Sequence, residues 1–322
     1  MAAAPLAGLA PAKVNLTLAV LGRREDGYHD LESIVLLLGL ADELTVQPAD
    51  EQPTSDPVAD TLEVEGEVDC ALADNLVLRA ARALRAALAT PLPPLAFRLR
   101  KRVPVAGGLG GGSSDAATAL RLAAKIWQAR IGLERLMALA AEIGSDVPFF
   151  VTRARLALLE GRGERIIPLA ALSGRMGVLL VTPGRRLSTP DVFAAFATLA
   201  ADERPDPAAR RITAELTVLL EPGARVQRLL AEVERLRSAN DLWLPASTLF
   251  PALRDIRDEL ERRHHRPFLL SGSGPTLYAF YPSPEEAVMG ARDLARHRPP
   301  DLEDATICAT DLTSPQPAWR TT

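Results

Sequence analysis

The chain has 322 residues, 48% of them hydrophobic, and a formal net charge of −4, which predicts about two domains with buried cores and disfavours a basic nucleic-acid-binding surface. Cys70 and Cys308 are far apart in sequence and are expected to be small buried residues rather than parts of a disulfide scaffold or a zinc site. The first residues lack the basic segment of a signal peptide and no uncharged apolar run approaches ~18 residues, so we expect a cytoplasmic protein without a membrane span.

A first strand is predicted where apolar and polar residues alternate from Val14 to Leu18. Lys13 lies at its start and Asn15 two residues later, so both side chains point to the same side. Such a pair can hold a hydroxyl group and a carboxylate. The residues alone leave the alternative that Lys13 is an exposed lysine at a strand edge.

The next segment, residues 22–31, is rich in glycine and polar residues and predicts a turn between strands. It contains Tyr28 and His29 in a chain with only three tyrosines and four histidines. An aromatic ring beside an imidazole can grip a flat heterocycle. The alternative is a tyrosine that packs on the core beside a solvated histidine.

Strands are predicted on both sides of a long polar segment. Apolar runs within 31–47 and 62–64 indicate strands. Residues 48–60 between them are rich in Pro, Asp, Ser and Thr and indicate a mobile loop.

A helix and a strand are predicted next. Apolar residues recur at helical spacing up to about Leu88, and Asp74 or Asn75 is the expected N-cap. Pro91 and the prolines after it end the helix. Residues 95–101 alternate in polarity and predict a strand that leads into the following loop.

That loop is glycine-rich and runs into a predicted helix. Residues 107–112 contain five glycines, and Ser113 and Ser114 begin a helix that is expected to end near residues 130–132. Glycine lets a ligand approach the main chain closely, and a helix N-terminus offers unpaired N–H groups and the positive end of its dipole. The pattern predicts a phosphate site; the alternative is a glycine-rich surface turn.

Two common phosphate-binding patterns do not fit this loop. The P-loop requires a lysine directly after its last glycine, where this chain has Ser113. A dinucleotide fingerprint that starts at Gly108 requires a third glycine at the same position. The loop is therefore of another type.

A second helix is predicted over 134–143, followed by Gly144 and a tight turn at Asp146. Pro148 is expected to bias Val147 toward an extended conformation. From the residues alone, the first interpretation of Asp146 is a helix cap or turn residue.

The rest of the chain is predicted to mix strands and helices. A hairpin over 156–168 precedes a domain boundary near 170–175, which divides the chain into domains 1–172 and 173–322. The later predicted elements are a strand at 178–181, helices at 208–220, 224–236 and 247–263, two strands flanking the turn 271–275, a helix at 284–296 and a strand at 305–309.

Taken together, the motifs resemble those of the GHMP kinases. The resemblance is carried by Pro-Ala-Lys-x-Asn-Leu from Pro11, Gly-Arg-Arg-x-Asp-Gly-Tyr-His from Gly22, the glycine loop from Pro104, Gly-Ser-Asp-Val-Pro from Gly144, Ser-Thr-Pro from Ser188 and Ser-Gly-Ser-Gly-Pro from Ser271. The Asp-Gly-Tyr-His element is similar to that of the branch that phosphorylates a cytidine-diphosphate methylerythritol in non-mevalonate isoprenoid synthesis. The resemblance implies an α+β protein with the two-domain GHMP kinase fold, the first domain like domain 2 of ribosomal protein S5 and the second a ferredoxin-like α/β sandwich.

The resemblance also implies an ATP-dependent phosphotransfer with Mg²⁺ near Ser113 or Ser114. Lys13 and Asp146 would be catalytic, with Asp146 accepting the proton of the substrate hydroxyl and Lys13 steering that hydroxyl. The residues implied in ATP binding are Asn75, Pro104, Val105, Ala106, Gly107, Gly108, Leu109, Gly110, Gly111, Gly112, Ser113 and Ser114. Asn75 is interpreted as a helix cap first and a ligand second.

The resemblance also implies a set of residues that bind the small-molecule substrate, three of them at its cytosine, and it implies that the turn 271–275 closes beside the phosphates. The residues implied are Asn15, Tyr28, His29, Phe193, Gly272 and Ser273. Tyr28 would stack on the base, Phe193 would pack on its other face and His29 would bond its edge. Phe193 is equally well interpreted as a core residue of an amphipathic helix, and a plain hairpin turn is the alternative for 271–275.

Other functions share parts of this pattern. A mevalonate- or homoserine-type GHMP kinase would share the glycine loop, but the Asp-Gly-Tyr-His element speaks against it. A non-catalytic nucleotide-binding relative would be expected to have lost Lys13 or Asp146, and both are present. Asn240 and Asp241 resemble a further family element, but Trp243 replaces its acidic residue and no role is carried over. No nucleic-acid or membrane partner is expected, and the chain is expected to be a monomer or a homodimer.

Overall fold

The computed structural model describes residues 5–49, 54, 56, 59–199, 207–220 and 222–312. Most of the segment predicted as a loop, 48–60, lies outside these residues. Within the described part, seven strands form the first sheet: β1 (Leu6–Asn15), β2 (Ala19–Arg23), β3 (His29–Pro48), β4 (Thr61–Glu65), β5 (Leu95–Arg100), β6 (Leu156–Gly161) and β7 (Arg165–Pro168).

The 20-residue strand β3 is the centre of this sheet. It pairs antiparallel with β1, β2, β5 and β6, while β4 pairs parallel with β5 and β7 pairs antiparallel with β6. One strand thereby brings together parts of the chain that are far apart in sequence, including the strand with Lys13 and the strand before the glycine loop.

Helices cover one face of the first sheet: α1 (Leu76–Leu88), α2 (Gly111–Ile126), α3 (Leu133–Ile143) and α4 (Val147–Thr152). Their apolar side chains share a buried core with those of β3 and β5. The side chain of Asn75 caps α1 by accepting a hydrogen bond of 3.0 Å from the N–H of Val77. The predicted capping role of Asn75 is thus confirmed.

The second sheet has four strands within the described part, in the order β11-β8-β10-β9. They are β8 (Gly177–Thr182), β9 (Leu269–Leu270), β10 (Leu277–Tyr281) and β11 (Thr306–Asp311). The helices of this half are α5 (Thr189–Thr198), α6 (Ala208–Leu219), α7 (Val226–Ala231), α8 (Val233–Leu236), α9 (Trp243–Leu249), α10 (Ala252–His264) and α11 (Pro284–Arg296).

The two sheets meet along a shared core. Leu36 of β3 belongs to the same buried cluster as Leu180 of β8 and Tyr278 of β10. The fully buried Tyr278 hydroxyl donates a hydrogen bond of 2.8 Å to the carbonyl of Asn15. The second sheet is therefore bonded directly to the strand that carries Lys13 and Asn15. The proposed domain boundary near 170–175 lies between β7 and β8.

Several local predictions were wrong. Val147 is not extended but begins α4, because Pro148 lies in the first turn, where its missing N–H has no partner to lose. The helix after the glycine loop begins already at Gly111 and ends at Ile126. Pro251 separates α9 from α10, which were predicted as one helix, and the helix predicted over 224–236 is divided into α7 and α8.

The burial predicted for the cysteines was wrong for Cys70, which is exposed, while Cys308 is half-buried; both are free thiols. Cys70 lies between β4 and α1 in a segment whose residues are mostly exposed. Burial raises the pKa of the Cys308 thiol to about 11.

Candidate active site

The side chains of Lys13 and Asp146 are in contact, although they come from β1 and from the turn before α4. Lys13 Nζ lies 3.3 Å from Asp146 Oδ2, and it donates a hydrogen bond of 2.7 Å to Asn15 Oδ1. Asn15 in turn donates to the hydroxyl of Ser33 at 2.8 Å. This chain of buried hydrogen bonds fixes the position of the ammonium group, and the alternative of an exposed Lys13 is wrong because its side chain is only 6% exposed.

The Asp146 carboxylate faces outward from its turn. Asp146 occupies the N-cap position of α4, but its side chain caps no helix N–H, so the capping interpretation does not account for it. Its side chain is 36% exposed. The carboxylate is therefore held by Lys13 on one side and accessible on another.

The glycine loop lies directly beside this pair. The N–H of Lys13 donates to the carbonyl of Leu109 at 2.9 Å. Gly108 and Gly110 have φ angles of +74° and +69°, in the left-handed region that favours glycine. A Cβ atom on Gly110 would lie 3.1 Å from Lys13 Cγ. The close approach of loop and strand thus depends on the missing side chain.

A second glycine-rich turn, residues 271–275, packs on the first. The Ser271 hydroxyl donates to the carbonyl of Gly108 at 2.9 Å, and a Cβ on Gly108 would lie 2.2 Å from the Ser271 carbonyl oxygen. A Cβ on Gly272 would lie 3.3 Å from Asn15 Oδ1 and 3.6 Å from Lys13 Nζ. The structure therefore brings Gly272 next to the predicted catalytic lysine.

Helix α2 begins at Gly111 within the glycine-rich segment, and Gly110 is its N-cap residue. Ser113 is half-buried in the first turn, whereas Ser114 is fully buried. The Ser114 hydroxyl has no hydrogen-bond partner among the described residues. Asn75 belongs to the same region, because the neighbouring Leu76 lies 3.6 Å from where a Cβ on Gly112 would be.

The aromatic residues predicted to hold a base come from the β2–β3 turn, from β3 and from α5. Two of them are in contact with each other, and the third contacts Arg162 instead. The His29 ring stacks on Phe193 of α5, with centroids 5.1 Å apart and planes at 24°. Tyr28 is 53% exposed, and the Arg162 guanidinium lies 4.7 Å above its ring. His29 therefore covers one face of the Phe193 ring. Burial, together with the charge of Arg23, lowers the pKa of His29.

Several contacts that build this site were not predicted from the sequence. Arg162 is placed over Tyr28 by the β6–β7 hairpin, and its glycine-flanked position was the only local signal. Asn240 donates to the carbonyls of Leu270 and Gly272 at 3.0 and 2.9 Å, and so supports the second glycine turn. The hydroxyl of Ser273 in that turn lies 2.8 Å from the Thr189 hydroxyl.

Metal and membrane features were searched within the described part of the chain. It contains no group of three or more His, Cys, Asp or Glu side chains able to hold a metal ion. None of its helices combines the length and apolar character needed to cross a bilayer.

Two segments of the chain match family models. Residues 75–153 match the family described as GHMP kinases N terminal domain, and residues 224–298 match GHMP kinases C terminal. A protein of Gluconacetobacter diazotrophicus named 4-diphosphocytidyl-2-C-methyl-D-erythritol kinase is 40% identical over 88% of each chain. A Bradyrhizobium protein of the same name is 39% identical over 91% of this chain and 94% of its own.

Two solved structures similar to this chain are also kinases. A crystal structure of 4-(cytidine 5'-diphospho)-2C-methyl-D-erythritol kinase is 34% identical and superposes with a TM-score of 0.69, covering 95% of this chain and 99% of that one. The mevalonate kinase of L. major, solved with R-mevalonate, has a TM-score of 0.67 but only 17% identity, with 98% of each chain covered. This second similarity is one of fold.

Proposed function

The chain belongs to the GHMP kinases, and from that premise we infer that it transfers the γ-phosphate of ATP to the 2-hydroxyl of 4-diphosphocytidyl-2-C-methyl-D-erythritol. The products are the 2-phosphate and ADP, in the non-mevalonate synthesis of isoprenoid precursors. Identity of about 40% with kinases of that name over most of the chain supports this activity. The observation that carries it is the contact between Lys13 and Asp146 beside the glycine loop.

Phosphoryl transfer requires alignment and charge stabilisation more than covalent participation by the protein. In our proposal the backbone of 104–114 binds the triphosphate of ATP, with the N-terminus of α2 contributing its free N–H groups and dipole. The left-handed glycines, Gly108 and Gly110, support this role because they keep side chains away from the main chain there.

The alcohol would be activated by the Lys13–Asp146 pair. Asp146 is exposed enough for a hydroxyl to reach its carboxylate, which would accept the proton as the oxygen attacks. The buried Lys13 amine would hold both the carboxylate and the developing alkoxide in place. Asn15 and Gly272 lie beside this amine and would contact the same end of the substrate.

The cytidine end would be bound by Tyr28, His29 and Phe193, with Ser273 nearby on the adjoining turn. His29 covers one face of Phe193, so a base that stacks on that face would displace His29 toward the edge of the base. Arg162 already covers one face of Tyr28 and leaves the other for stacking.

Mg²⁺ fits the donors at the start of α2. It prefers hard oxygen ligands and keeps several waters, and the Ser113 and Ser114 hydroxyls are oxygen donors, that of Ser114 without another partner in the described part of the chain. When bound, Mg²⁺ would neutralise charge on the β- and γ-phosphates. The domain division at residues 1–172 and 173–322 and a cytoplasmic location belong to the same proposal.

The test is a coupled assay of ADP release. ATP is supplied with the cytidylated methylerythritol, with mevalonate, or with homoserine. We expect ADP release only with the first substrate, and loss of that activity in Asp146→Asn. Preference for another alcohol, or ADP release that does not depend on any alcohol, would overturn the proposal.

A further inference from the structure

Three charged side chains, none of them predicted to be catalytic, meet beside the start of α2. Lys101 Nζ donates to Asp42 Oδ2 at 2.5 Å and to Asp115 Oδ2 at 2.8 Å. All three side chains are buried, with exposures of 8% for Lys101, 0% for Asp42 and 3% for Asp115. The sequence did not reveal this cluster, because its members come from β3, from the residue after β5 and from α2.

Asp42 also holds the backbone at the start of the loop. Its Oδ1 atom accepts hydrogen bonds from the N–H groups of Arg102 and Val103, at 2.5 and 2.8 Å. Together with Lys101, these residues connect the strand that ends at Arg100 to the loop that begins at Pro104. One carboxylate therefore binds both Lys101 and the two peptide groups that follow it.

Asp115 holds the other end of the loop. It lies in α2, one turn after the helix begins at Gly111. A Cβ on Gly111 would lie 3.1 Å from Val103 Cγ1 and 3.3 Å from Lys101 Nζ, so the start of the helix is packed against the cluster. The segment 104–110 is consequently attached at both ends to the same ammonium–carboxylate group.

Burial of such a charged cluster carries a large desolvation penalty, so it adds little to the stability of a fold. Buried ion pairs are often no better for stability than apolar residues of similar volume. Asp115 Oδ1 is buried without a hydrogen-bond partner among the described residues, and burial raises the pKa of Asp115. The net gain from the cluster is thus expected in geometry rather than in stability.

We propose that Lys101, Asp42 and Asp115 are positioning residues that set the spacing between the two ends of the glycine loop and thereby its affinity for ATP. The inference rests on the proposed binding of ATP by that loop. None of the three residues needs to touch the nucleotide through its side chain. Their effect should therefore fall on ATP and spare the cytidylated substrate.

The chain offers a matched control at the opposite end of β5. Arg85 and Asp60 form an ion pair of 2.6 Å with side chains 2% and 1% exposed. Asp60 Oδ1 also accepts a backbone N–H, that of Leu95, at 2.8 Å. The two clusters therefore have similar burial and chemistry, but only one adjoins the loop; the length of β5 separates them by roughly 17 Å.

The experiment compares Lys101→Met with Arg85→Met. The dissociation constant of ATP is measured by calorimetry without the second substrate, and both KM values and kcat are measured by ADP release. We expect Lys101→Met to weaken ATP binding by about 10- to 100-fold. This is the loss of affinity typical when a residue that orients a metal ligand through a hydrogen bond is replaced. Its KM for the cytidylated substrate should change less than about twofold, and Arg85→Met should retain the parent's ATP affinity while losing stability.

Two further variants address folding and charge. If Lys101→Met does not fold, Asp115→Leu is measured, which leaves the Lys101–Asp42 contact in place and should also weaken ATP binding. Asp115→Asn keeps an acceptor oxygen for Lys101 and should recover most of the affinity that Asp115→Leu loses. Recovery by the conservative variant is not expected if Asp115 only fills space.

The inference is overturned if a folded Lys101→Met or Asp115→Leu binds ATP as the parent does. It is also overturned if Arg85→Met weakens ATP binding equally, or if both substrates are weakened to the same extent. A parent chain that binds ATP but does not phosphorylate the cytidylated substrate would instead contradict the proposed function alone.

Discussion

The Lys13 amine is buried behind the Asp146 carboxylate that it contacts. Their atoms are 3.3 Å apart, but the lysine side chain is 6% exposed and the aspartate side chain is 36% exposed. The positive charge thus lies on the protein side of the pair and the carboxylate on the open side. This asymmetry suits a base that meets an incoming alcohol while a fixed cation stabilises the charge that develops.

Asp146→Asn is expected to reduce kcat by about 10²–10⁴, because the amide cannot accept the hydroxyl proton. The affinity for ATP should stay close to that of the parent, since Asn keeps the shape of the side chain. Single-turnover ADP release and ATP calorimetry measure the two quantities. A kcat near the parent value would reject Asp146 as the base.

Replacement of Lys13 by Met should lower kcat by about 10²–10³, the loss typical of removing one charge-stabilising group. Lys13→Arg should not restore activity. Its guanidinium needs more room than the space bounded by Gly110 and Gly272, whose Cβ positions lie 3.1 and 3.6 Å from Lys13 atoms. Activity of the arginine variant close to that of the parent would show that charge alone suffices at this position.

Tyr28→Ala should raise KM for the cytidylated substrate and leave KM for ATP nearly unchanged. Loss of one stacking ring typically costs ~1–3 kcal/mol per base, or about 5- to 150-fold in affinity. Tyr28→Phe keeps the ring and serves as the control. Equal increases in both KM values would contradict a base-binding role for Tyr28.

Gly108→Ala should separate the two glycine-rich turns. The new Cβ would lie 2.2 Å from the Ser271 carbonyl oxygen, and the backbone has a φ of +74°. We expect a destabilised protein with weakened ATP binding, measured by urea unfolding and calorimetry. Gly132→Ala is the control, because nothing lies within 4 Å of its Cβ position. Gly132 is the N-cap residue of α3, where alanine is less favourable than glycine, so stability should fall by no more than about 1 kcal/mol. Similar losses in both variants would show that the contact with Ser271 is unimportant.

Asp241 should make stability fall as pH rises. Burial raises its pKa to about 6, although its Oδ2 accepts a hydrogen bond of 2.8 Å from the Val20 N–H, which acts in the opposite direction. Between the unfolded value of 3.8 and about 6 the unfolded state binds fewer protons than the folded state. The free energy of unfolding therefore decreases across this interval. Above about pH 6 the total loss approaches about 3 kcal/mol.

Asp241→Asn removes this titration. Relative to the parent, its free energy of unfolding should increase progressively between about pH 4 and pH 7. Urea unfolding of both proteins across that range measures the difference. A difference that does not vary with pH would contradict the assignment to Asp241.

The two-domain GHMP kinase fold was predicted from the sequence and is confirmed by the matched families and structures. The helix 284–296 and the hairpin 156–168 were also predicted correctly, because neighbouring residues determine their caps and turns. The helix at Val147 was missed. Pro148 disfavours a helical conformation at the residue before it, but proline is well tolerated in the first turn of a helix, which is where it lies in α4. The stacking of His29 on Phe193 was missed because it depends on how α5 packs against β3.

By itself, the sequence determined the kind of chemistry: a glycine loop before a helix, a lysine and an asparagine on one strand face, and an aspartate after a tight turn. The residues that make up each of these features lie within a few positions of one another, so strand and helix periodicity and turn geometry are enough to place each feature locally. Only the tertiary structure decided which of them meet. The pairing of β3 with β1 and β5 brings Lys13 to Leu109 and Asp42 to Lys101, because pairing between distant strands depends on the register and packing of the whole sheet.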